Sequence, residues 1–438
     1  MKRIAPIVIF MLAFQTHAQQ ALTFADCLQR AMANNLQLKS IGFDEQIART
    51  QHRGSFGLLM PNIDAEGENR NSWGKEIDPD TNTFSRDDLR NTEGTLNANF
   101  NLFSGFAVHN TIKLAKQQKQ LARANTEQLR NLITIDLAQR FITILYLEEI
   151  IAANEEQIKS SAKQLEIAQL KFDSGAISES ELFKIKAQKA SEELTLLTNQ
   201  NTLAENMISL KQLMNIPLEE EILLLKPNLE LNEYVAEKEN PFELAKQAVD
   251  IHPAFKASLL SMKTARTELA IARSLRWPTL SMRLMYRSNY DSTIRDEVSF
   301  DEQVDINTSK QIRFYLTIPI FNQFQNNVEI KTQKLLYRQA KVATEIERDR
   351  LSKEVLLAIN NAKTSVKKSE SSAMAFDFSQ KSYDADLLKF EVGKININEL
   401  NTTKVIYNSV QAELIQSKYE LLFNNALIKF YSGGAFTL

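Results

Sequence analysis

The sequence FEVGKININEL at residues 390–400 decides the fold, because a related stretch, FDSGAISESEL, stands at residues 172–182. Phe, Gly, Ile, Glu and Leu recur in the same order, and Gly175 and Gly393 lie 218 positions apart (393 − 175). Self-similarity at one fixed spacing is the signature of a structural repeat. The chain therefore contains two copies of one unit.

Each of these glycines interrupts a long stretch that has neither Gly nor Pro, the two residues that most destabilise a helix interior. Such stretches run over 106–174 and 176–216 in the first copy, and over 320–392 and 394–432 in the second. Glycine supplies the left-handed backbone that ends one helix, and small polar residues after it can cap the next. Each repeat is therefore predicted to be a long helical hairpin with its tip at Gly175 or Gly393.

Two segments of alternating polarity precede the hairpin in each copy. They lie at 279–288 and 311–320 in the second copy, and at 92–103 and, more weakly, at 61–72 in the first. Alternation with a period of two predicts β-strands. The polar residues 289–310 between the two segments of the second copy are predicted to form an exposed loop.

One face of these predicted strands is apolar and the other is polar, which is the pattern of an outer-membrane β-barrel. A closed membrane barrel needs at least about eight strands, whereas this chain supplies four. Open strand edges are not tolerated in lipid, so several chains are predicted to share one barrel. After the N-terminal segment no run of about 18 apolar residues occurs, so any membrane part must be made of strands.

The predicted helices carry heptads, which indicate coiled-coil packing. In the second copy the steps alternate between three and four from Leu400 to Leu421. The equivalent seam in the first copy is Ala187, Ala190, Leu194, Leu197, Asn201, Ala204 and Ile208. The small and polar members of both seams indicate close packing around something wider than a dry two-helix core.

The N-terminus has the pattern of a secretion signal. Lys2 and Arg3 precede a short apolar run, and THA at residues 16–18 is a candidate cleavage site. The run is too short to span a bilayer, although an uncleaved anchor is an open alternative. The predicted organisation is a signal peptide, a first repeat, a linker and a second repeat, at residues 1–18, 19–216, 217–240 and 241–438.

Composition excludes several classes of function. The 52 Lys and Arg residues nearly balance the 54 Asp and Glu residues, which gives no electrostatic case for binding nucleic acid. Cys27 is the only cysteine, so neither an intrachain disulfide nor a thiolate metal cluster is expected. The histidines lack metal-ligand spacing, and no catalytic triad, phosphate-binding loop or dinucleotide motif occurs. We expect no enzymatic activity, no metal and no cofactor.

Together these features resemble the TolC family of outer-membrane efflux proteins over nearly the whole mature chain. The features are the tandem repeat, the paired tip turns, and LFSG at 102–105 with its partner IFNQ at 320–323. The resemblance implies a mainly α-helical homotrimer, in which each chain gives four strands to a twelve-stranded β-barrel and its helices to a periplasmic α-barrel. Such a trimer would lie in outer-membrane lipid of a Gram-negative bacterium.

The resemblance also implies that the helical tips dock a periplasmic adaptor and open as an iris. The matching positions are Gly175, Ser180, Glu181, Phe390, Gly393, Ile395, Glu399 and Thr402. Phe390 and Ile395 stand where some members have a hydroxylated aromatic residue and a basic gate residue, so a salt-bridged lock of that kind is not expected. Two interpretations of Glu399, and also of Glu181, stay open: a carboxylate ring that favours cations, or a residue that caps or solubilises its helix.

The polar face of the strands is predicted to line the lumen. Its candidate residues are Arg283, Arg287, Arg313, Asn97 and Asn99. A solvated pore wall and an ion-selective site are both open interpretations, because selectivity requires a constriction.

The sequence thus predicts a passive exit duct of a tripartite efflux pump. Its energy would come from an inner-membrane transporter of the RND, ABC or another class, because the chain has no nucleotide site of its own. Two alternatives stay open: the outer-membrane component of type I secretion, and a soluble periplasmic coiled-coil scaffold. In the scaffold Leu280, Leu284, Phe314 and Leu316 would fill a small soluble core, whereas in the duct they would touch lipid.

Overall fold

The computed structural model describes five parts of the chain: residues 21–77, 82–85, 89–227, 240–292 and 298–438. The predicted signal peptide and residues 228–239 of the predicted linker lie outside these described residues. Most of the described chain is helical, and its strands are few, as predicted.

Nine α-helices occur in the described residues. In chain order they are α1 (Phe24–Asn34), α2 (Leu36–Ser55), α3 (Ala107–Asp173), α4 (Glu179–Met214), α5 (Pro241–Ile251), α6 (Pro253–Ser274), α7 (Phe300–Ile306), α8 (Gln325–Glu391) and α9 (Ile397–Tyr431). Helices α3 and α8 have 67 residues each, and each is followed across a tip turn by α4 or α9. The described helices therefore form the two long hairpins that the glycine spacing predicts.

The strands make one four-stranded sheet and two small pairs. In chain order they are β1 (Ala21–Leu22), β2 (Asn62–Ser72), β3 (Glu76–Ile77), β4 (Phe84–Ser85), β5 (Leu89–Ser104), β6 (Leu223–Leu224), β7 (Thr279–Asp291) and β8 (Ser309–Thr317). The main sheet has the order β2-β5-β7-β8, and all of its neighbouring strands are antiparallel. Strand β1 pairs in parallel with β6, and β3 pairs with β4.

The register of the main sheet keeps the alternation of the sequence. Leu284 lies opposite Ala98 on one side and Ile312 on the other. Because directly opposite residues of antiparallel strands share a face, the apolar positions of these strands line up on one face.

A β-bulge in β5 corrects the predicted alternation at one point. The register with β7 shifts between Asn101 and Phe103, so that Phe103 is the residue opposite Leu280. The sequence places Leu102 on that apolar face, but the bulge inserts Leu102 as an extra residue and changes which side chain is paired.

The segment between β7 and β8 differs from the predicted loop. Strand β7 continues to Asp291, and α7 forms where Ser299 accepts a hydrogen bond from the Glu302 N–H. Gln303 of α7 is buried, and its side-chain oxygen accepts a hydrogen bond from the Asp291 N–H at 3.1 Å. Strand β8 ends at Thr317, so residues 318–320 of the predicted strand lie beyond it. A side-chain cap and one buried amide therefore order a segment that the composition marks as polar loop.

The described residues fall into two units. The first unit comprises the described residues of Met1–Ser40, Glu127–His252 and Arg350–Leu438. Its main hydrophobic core includes Phe24, Phe141 and Tyr419, and the rings of Phe24 and Phe141 meet edge to face with centroids 5.6 Å apart. The tips of both hairpins belong to this unit.

The predicted seam of the first copy is not part of this core. Leu194, Leu197 and Ile208 of α4 are exposed, whereas Leu182 and Leu210 are buried. A heptad pattern marks a packing stripe but does not identify its partner. In this protomer the stripe on α4 is left without a covering element among the described residues.

The second unit comprises the described residues of Ile41–Thr126 and Pro253–Asp349, and it contains the main sheet. At its junction between β5 and α3, Gly105 has φ +60°, and a Cβ there would lie 2.6 Å from Trp277 Cβ and 2.7 Å from the Ser274 carbonyl oxygen. Only glycine suits both the left-handed backbone and this close approach.

Candidate functional site at the helical tips

Both tip turns have the same backbone geometry. Gly175 has φ +76° and Gly393 has φ +74°. The Gly175 N–H donates to the Phe172 carbonyl oxygen at 2.8 Å, and the next N–H donates to Lys171 at 2.8 Å. The turn at Gly393 repeats both bonds with Phe390 and Lys389, at 3.0 and 2.8 Å. This is the Schellman arrangement, in which a left-handed residue ends a helix and satisfies its last carbonyl groups.

The helix after each turn begins with a reciprocal cap. At α4, the Glu181 N–H donates to Ser178 Oγ and the Ser178 N–H donates to Glu181 Oε2, both at 3.2 Å. At α9, the Glu399 N–H donates to Asn396 Oδ1 at 3.1 Å, and Asn396 Nδ2 donates to Glu399 Oε1 at 2.6 Å. Glu181 and Glu399 thus both act as caps within the protomer, which is one of the two interpretations open from the sequence.

The two tips are joined to each other. Phe390 is buried in a small core that includes Leu182, Ile397 and Leu400. Lys171 Nζ donates to the Phe390 carbonyl oxygen at 3.4 Å and lies 4.9 Å from the centre of its ring. The aromatic residue at this position therefore links the hairpins through packing and a cation–π contact instead of a hydroxyl group.

The remaining predicted tip residues lie around this core. Ile395 packs against it and is partly buried. Thr402 is exposed, and its hydroxyl donates to the Asn398 carbonyl oxygen at 2.9 Å within α9. Ser180 is exposed on the first turn of α4. A second hydrogen bond between the tips joins residues outside the predicted set, since Lys184 Nζ donates to Asn398 Oδ1 at 3.0 Å.

An aromatic stack lies farther along the hairpins from the tip. The rings of Tyr383 on α8 and Tyr407 on α9 stack with centroids 5.2 Å apart and an interplanar angle of 13°. The Tyr383 hydroxyl accepts a hydrogen bond from Gln164 Nε2 of α3 at 3.0 Å. This contact fixes α3 against the α8–α9 hairpin.

A buried ion pair joins three helices in the same part of the first unit. Lys404 of α9 is 2% exposed and Glu192 of α4 is 6% exposed. Lys404 Nζ lies 2.9 Å from Glu192 Oε1. Lys404 also donates to Ser161 Oγ of α3, and the Ser161 hydroxyl donates to Glu192 Oε2. Gln188 Nε2 completes the network with a bond to Glu192 Oε1 at 3.0 Å. We call these four residues the Lys404 network.

The charge state of Glu192 follows from this network. Burial by itself favours the neutral carboxyl group and would raise its pKa. Hydrogen bonds from Ser161, Gln188 and Lys404, together with the positive charge of Lys404, outweigh the burial, so the pKa of Glu192 lies below its ordinary value of 4.5. The network therefore holds an ionised carboxylate inside the helical bundle at neutral pH.

The sequence interpretation missed this network. Lys404 follows the predicted seam residue Thr403, and Glu192 lies between the seam residues Ala190 and Leu194. The only local signal is that Lys404 is four residues after the buried Leu400, which places both on one face of α9.

The predicted lumen-facing residues of the main sheet are held by hydrogen bonds. Arg283 Nε donates to Asn99 Oδ1 at 2.8 Å, and the Arg283 guanidinium carbon lies 5.8 Å from the centre of the Tyr315 ring. Arg287 forms an ion pair with Glu93 at 2.7 Å. These contacts fix the arginines along one polar face of the sheet.

Two further members of that face have partners as well. Arg313 donates to the Gln311 side chain, and Asn97 Nδ2 donates to Asp64 Oδ2 at 3.1 Å. On the opposite face, Ile312 is 67% exposed and Phe314 is 64% exposed. The protomer thus presents a polar, hydrogen-bonded face and an uncovered apolar face.

The described residues contain no arrangement suited to metal or redox chemistry. No group of three or more His, Cys, Asp or Glu side chains is placed to hold a metal ion in this part of the chain. Cys27 is buried, and the burial raises the pKa of its thiol to about 12.

As for helices, the described part of the chain contains none that combines the length and the apolar character of a membrane span.

A family model described as outer membrane efflux protein matches residues 27–215 and 244–434, one match for each predicted repeat. No curated protein sequence matches the chain.

Three solved structures illustrate the shared fold. CusC superposes with a TM-score of 0.81 at 16% identity, over 94% of this chain and 92% of that chain. The CmeC outer membrane channel of Campylobacter jejuni gives 0.80 at 17% identity, over 95% and 87%. The open state of the MtrE outer membrane channel of Neisseria gonorrhoeae gives 0.74 at 15% identity, over 94% and 89%. These similarities confirm the predicted fold class.

Proposed function

Because the chain belongs to the outer membrane efflux protein family, we propose that it forms the passive exit duct of a tripartite pump in a Gram-negative outer membrane. It would receive substrates from a periplasmic adaptor and an inner-membrane transporter and conduct them to the exterior. The observation that carries this proposal is the main sheet, which has a hydrogen-bonded polar face and an exposed apolar face on the same strands.

The apolar face has the character of a lipid-facing surface. Ile312, Phe314 and Leu316 of β8 alternate with polar neighbours, and all three are exposed in the protomer. Exposed large apolar side chains in a row are unfavourable in water, whereas a bilayer provides hydrocarbon on one side and the pore provides water on the other.

We propose that further copies of the chain cover the edges of the main sheet and form a homotrimer. Strands β2 and β8 each have one partner strand within the described residues, so both edges of the sheet are open. Backbone groups at an open edge cannot be left unpaired in lipid. Three copies would supply the twelve strands that the family resemblance implies, and the exposed stripe with Leu194, Leu197 and Ile208 on α4 would pack against a neighbouring subunit.

We propose that the tips carry docking and gating. The paired turns at Gly175 and Gly393 would contact the adaptor, and Ser180, Ile395 and Thr402 would contribute surface around them. Three copies of Glu399 around the pore axis would also form a carboxylate ring, since its second oxygen stays available while the first accepts from Asn396.

The lipid-facing assignment is tested by one pair of variants on adjacent residues. Phe314→Lys puts a charge on the apolar face, where lysine near the bilayer midplane costs about 2–4 kcal/mol. Tyr315→Lys puts the same charge on the polar face, because neighbouring strand residues point to opposite sides. We expect Phe314→Lys to be lost from carbonate-washed outer membranes and Tyr315→Lys to remain.

Release of the wild-type protein into the carbonate wash would reject the duct and favour a soluble scaffold. Equal loss of both variants would reject the assignment of faces.

Conduction is tested with the purified protein in planar phosphatidylcholine bilayers. We expect ohmic channels without added nucleotide. The variant Glu399→Gln should reduce cation selectivity, which is measured as a shift of the reversal potential under a salt gradient. An unchanged reversal potential would leave Glu399 as a helix cap alone.

A further inference from the structure

A groove of about 800 Å³ in the second unit is lined mainly by cations. It lies between α3, α6 and α8, and its charged side chains are Lys113, Lys263, Arg266 and Arg273. No Asp or Glu side chain lines it. We call it the basic groove.

Helical spacing explains why these cations converge. Lys263, Arg266 and Arg273 lie three and seven residues apart on α6, so they project from one face of that helix. Lys113 projects from α3 on the face that also carries Gln117. Between the two helices the buried Thr267 hydroxyl donates to Gln117 Oε1 at 2.8 Å. The floor of the groove is therefore neutral and polar, and its walls are positively charged.

The four cations carry no compensating charge. Among the residues that the structure describes, none of them forms an ion pair. Their surroundings are also basic, since residues 107–126 contain four Lys and Arg residues and no Asp or Glu, and α6 contains a single acid, Glu268. A chain with a formal net charge of −2 thus concentrates positive charge at one place. Such a concentration attracts anions.

The groove lies beside the main sheet. Arg273 lies in the last turn of α6, six positions before Thr279, the first residue of β7. Between the helices and the sheet stand two exposed aromatic residues, Phe106 at 60% and Trp277 at 54% exposure. Tryptophan and other aromatic residues concentrate where a membrane meets water, so in the proposed duct this junction would lie at the boundary of the bilayer.

We propose that the basic groove binds the phosphate headgroup of an anionic lipid at the periplasmic face of the outer membrane. This inference rests on the proposed function, because the main sheet must lie in lipid for the groove to meet headgroups. Arginine and lysine form charge-assisted hydrogen bonds to phosphate oxygens, and basic pockets beside membrane segments bind anionic headgroups in this way. A lipid is favoured over a free anion because its acyl chains would meet Phe106, which is 60% exposed and lies one helical turn before the groove residue Asn110.

The test uses the full-length protein in detergent and phosphatidylglycerol as the probe. Thermal unfolding is followed by circular dichroism with phosphatidylglycerol, with phosphatidylcholine or with inorganic phosphate. The groove variant is Lys113→Gln, Lys263→Gln, Arg266→Gln and Arg273→Gln in one chain. The matched control removes two Lys and two Arg charges from exposed positions of the same unit outside the groove: Arg53→Gln, Lys256→Gln, Lys331→Gln and Arg338→Gln.

We expect phosphatidylglycerol to raise the unfolding temperature of the wild type and of the control, and to have little effect on the groove variant. Each cation removed should weaken lipid binding by roughly fivefold. Phosphatidylcholine and inorganic phosphate should have no comparable effect. Gel filtration should show that both variants keep the oligomeric state of the wild type, because all substituted side chains are exposed.

Three results would overturn the proposal. One is a groove variant that responds to phosphatidylglycerol as the wild type does, and another is a control that loses the response equally. The third is an equal response to inorganic phosphate, which would assign the groove to a free anion. Channels in pure phosphatidylcholine bilayers measure the duct separately, so failure of the groove leaves the proposed function standing, and absence of channels refutes the duct itself.

Discussion

The Lys404 network makes a strong prediction about the stability of the tips. In Lys404→Met the buried carboxylate of Glu192 loses its counter-charge, while Ser161 and Gln188 still face it. Breaking a buried ion pair by removing one partner costs about 3–5 kcal/mol, because the remaining charge stays desolvated. An exposed pair contributes about 0–1 kcal/mol. The structure therefore predicts a large effect at Lys404.

Hydrogen exchange followed by mass spectrometry measures this effect where it occurs. Amide exchange reports the free energy of local opening, so a loss of about 3 kcal/mol should speed exchange near residues 157–164 and 400–407 on the order of a hundredfold. The matched control is Lys184→Met, which removes an exposed bond between the same two helices, the one from Lys184 to Asn398 at 3.0 Å. We expect the control to change exchange by less than about fivefold.

A double variant separates charge pairing from packing. In Lys404→Met with Glu192→Gln no ionised group stays buried, so most of the lost protection should return. Equal amide exchange rates in the Lys404→Met and Lys184→Met variants would refute the reasoning. The reasoning would also be refuted if the double variant lost more protection than the sum of the losses in the single variants Lys404→Met and Glu192→Gln.

The pH dependence adds a second signature of the ion pair. In the wild type the pKa of Glu192 is lowered by folding, so its contribution is complete above the ordinary value of 4.5 and is lost as the pH falls through the lowered folded value. In Lys404→Met the carboxyl group of Glu192 loses the positive charge and the hydrogen bond of Lys404, so its pKa should be lowered less and the loss of tip protection at low pH should be smaller. Parallel pH profiles for the two proteins would contradict this account.

Three further predictions concern other parts of the chain. Gly105→Ala should sharply lower the yield of folded protein, because its Cβ would lie 2.6 Å from Trp277 Cβ. Gly393→Ala has nothing within 4 Å of its Cβ, so it should cost only the roughly 1–2 kcal/mol of an alanine in the left-handed conformation. Gel filtration compares the yields of folded protein for the two variants. Gly393→Val should impair docking or opening in an export assay while the oligomer persists, and unchanged export would reject the tip assignment. Cys27 is buried, and the pKa of its thiol is raised to about 12, so it should resist iodoacetamide at neutral pH until denaturant is added. Rapid labelling of the native protein would show that the core around α1 is open.

Features governed by local backbone preferences could be predicted from the sequence. The helix ends at Gly175 and Gly393 and the alternation of the strands depend on residues within a few positions of each other. Local conformational preference and hydrophobic period act at that range, which is why the four main strands and the two long hairpins could be anticipated. The capping of α9 by Asn396 and Glu399 is one of the two interpretations that the sequence allows, and its geometry is equally local.

Features that join distant parts of the chain could not be predicted in this way. Lys404 meets Ser161 across 243 positions, and no periodic pattern marks that pairing. The exposed seam of α4 and the bulge at Leu102 likewise depend on which neighbours the folded chain provides.

The sequence by itself determined two tandem hairpins, their glycine turns and a set of amphipathic strands, because helix-ending residues and hydrophobic periods act locally. Only the tertiary structure decided that a buried Lys404 and Glu192 face each other and that four cations share one groove beside the sheet. The physical reason is that charge burial and charge clustering are properties of packed surfaces, and helices distant in sequence create those surfaces only when they come together.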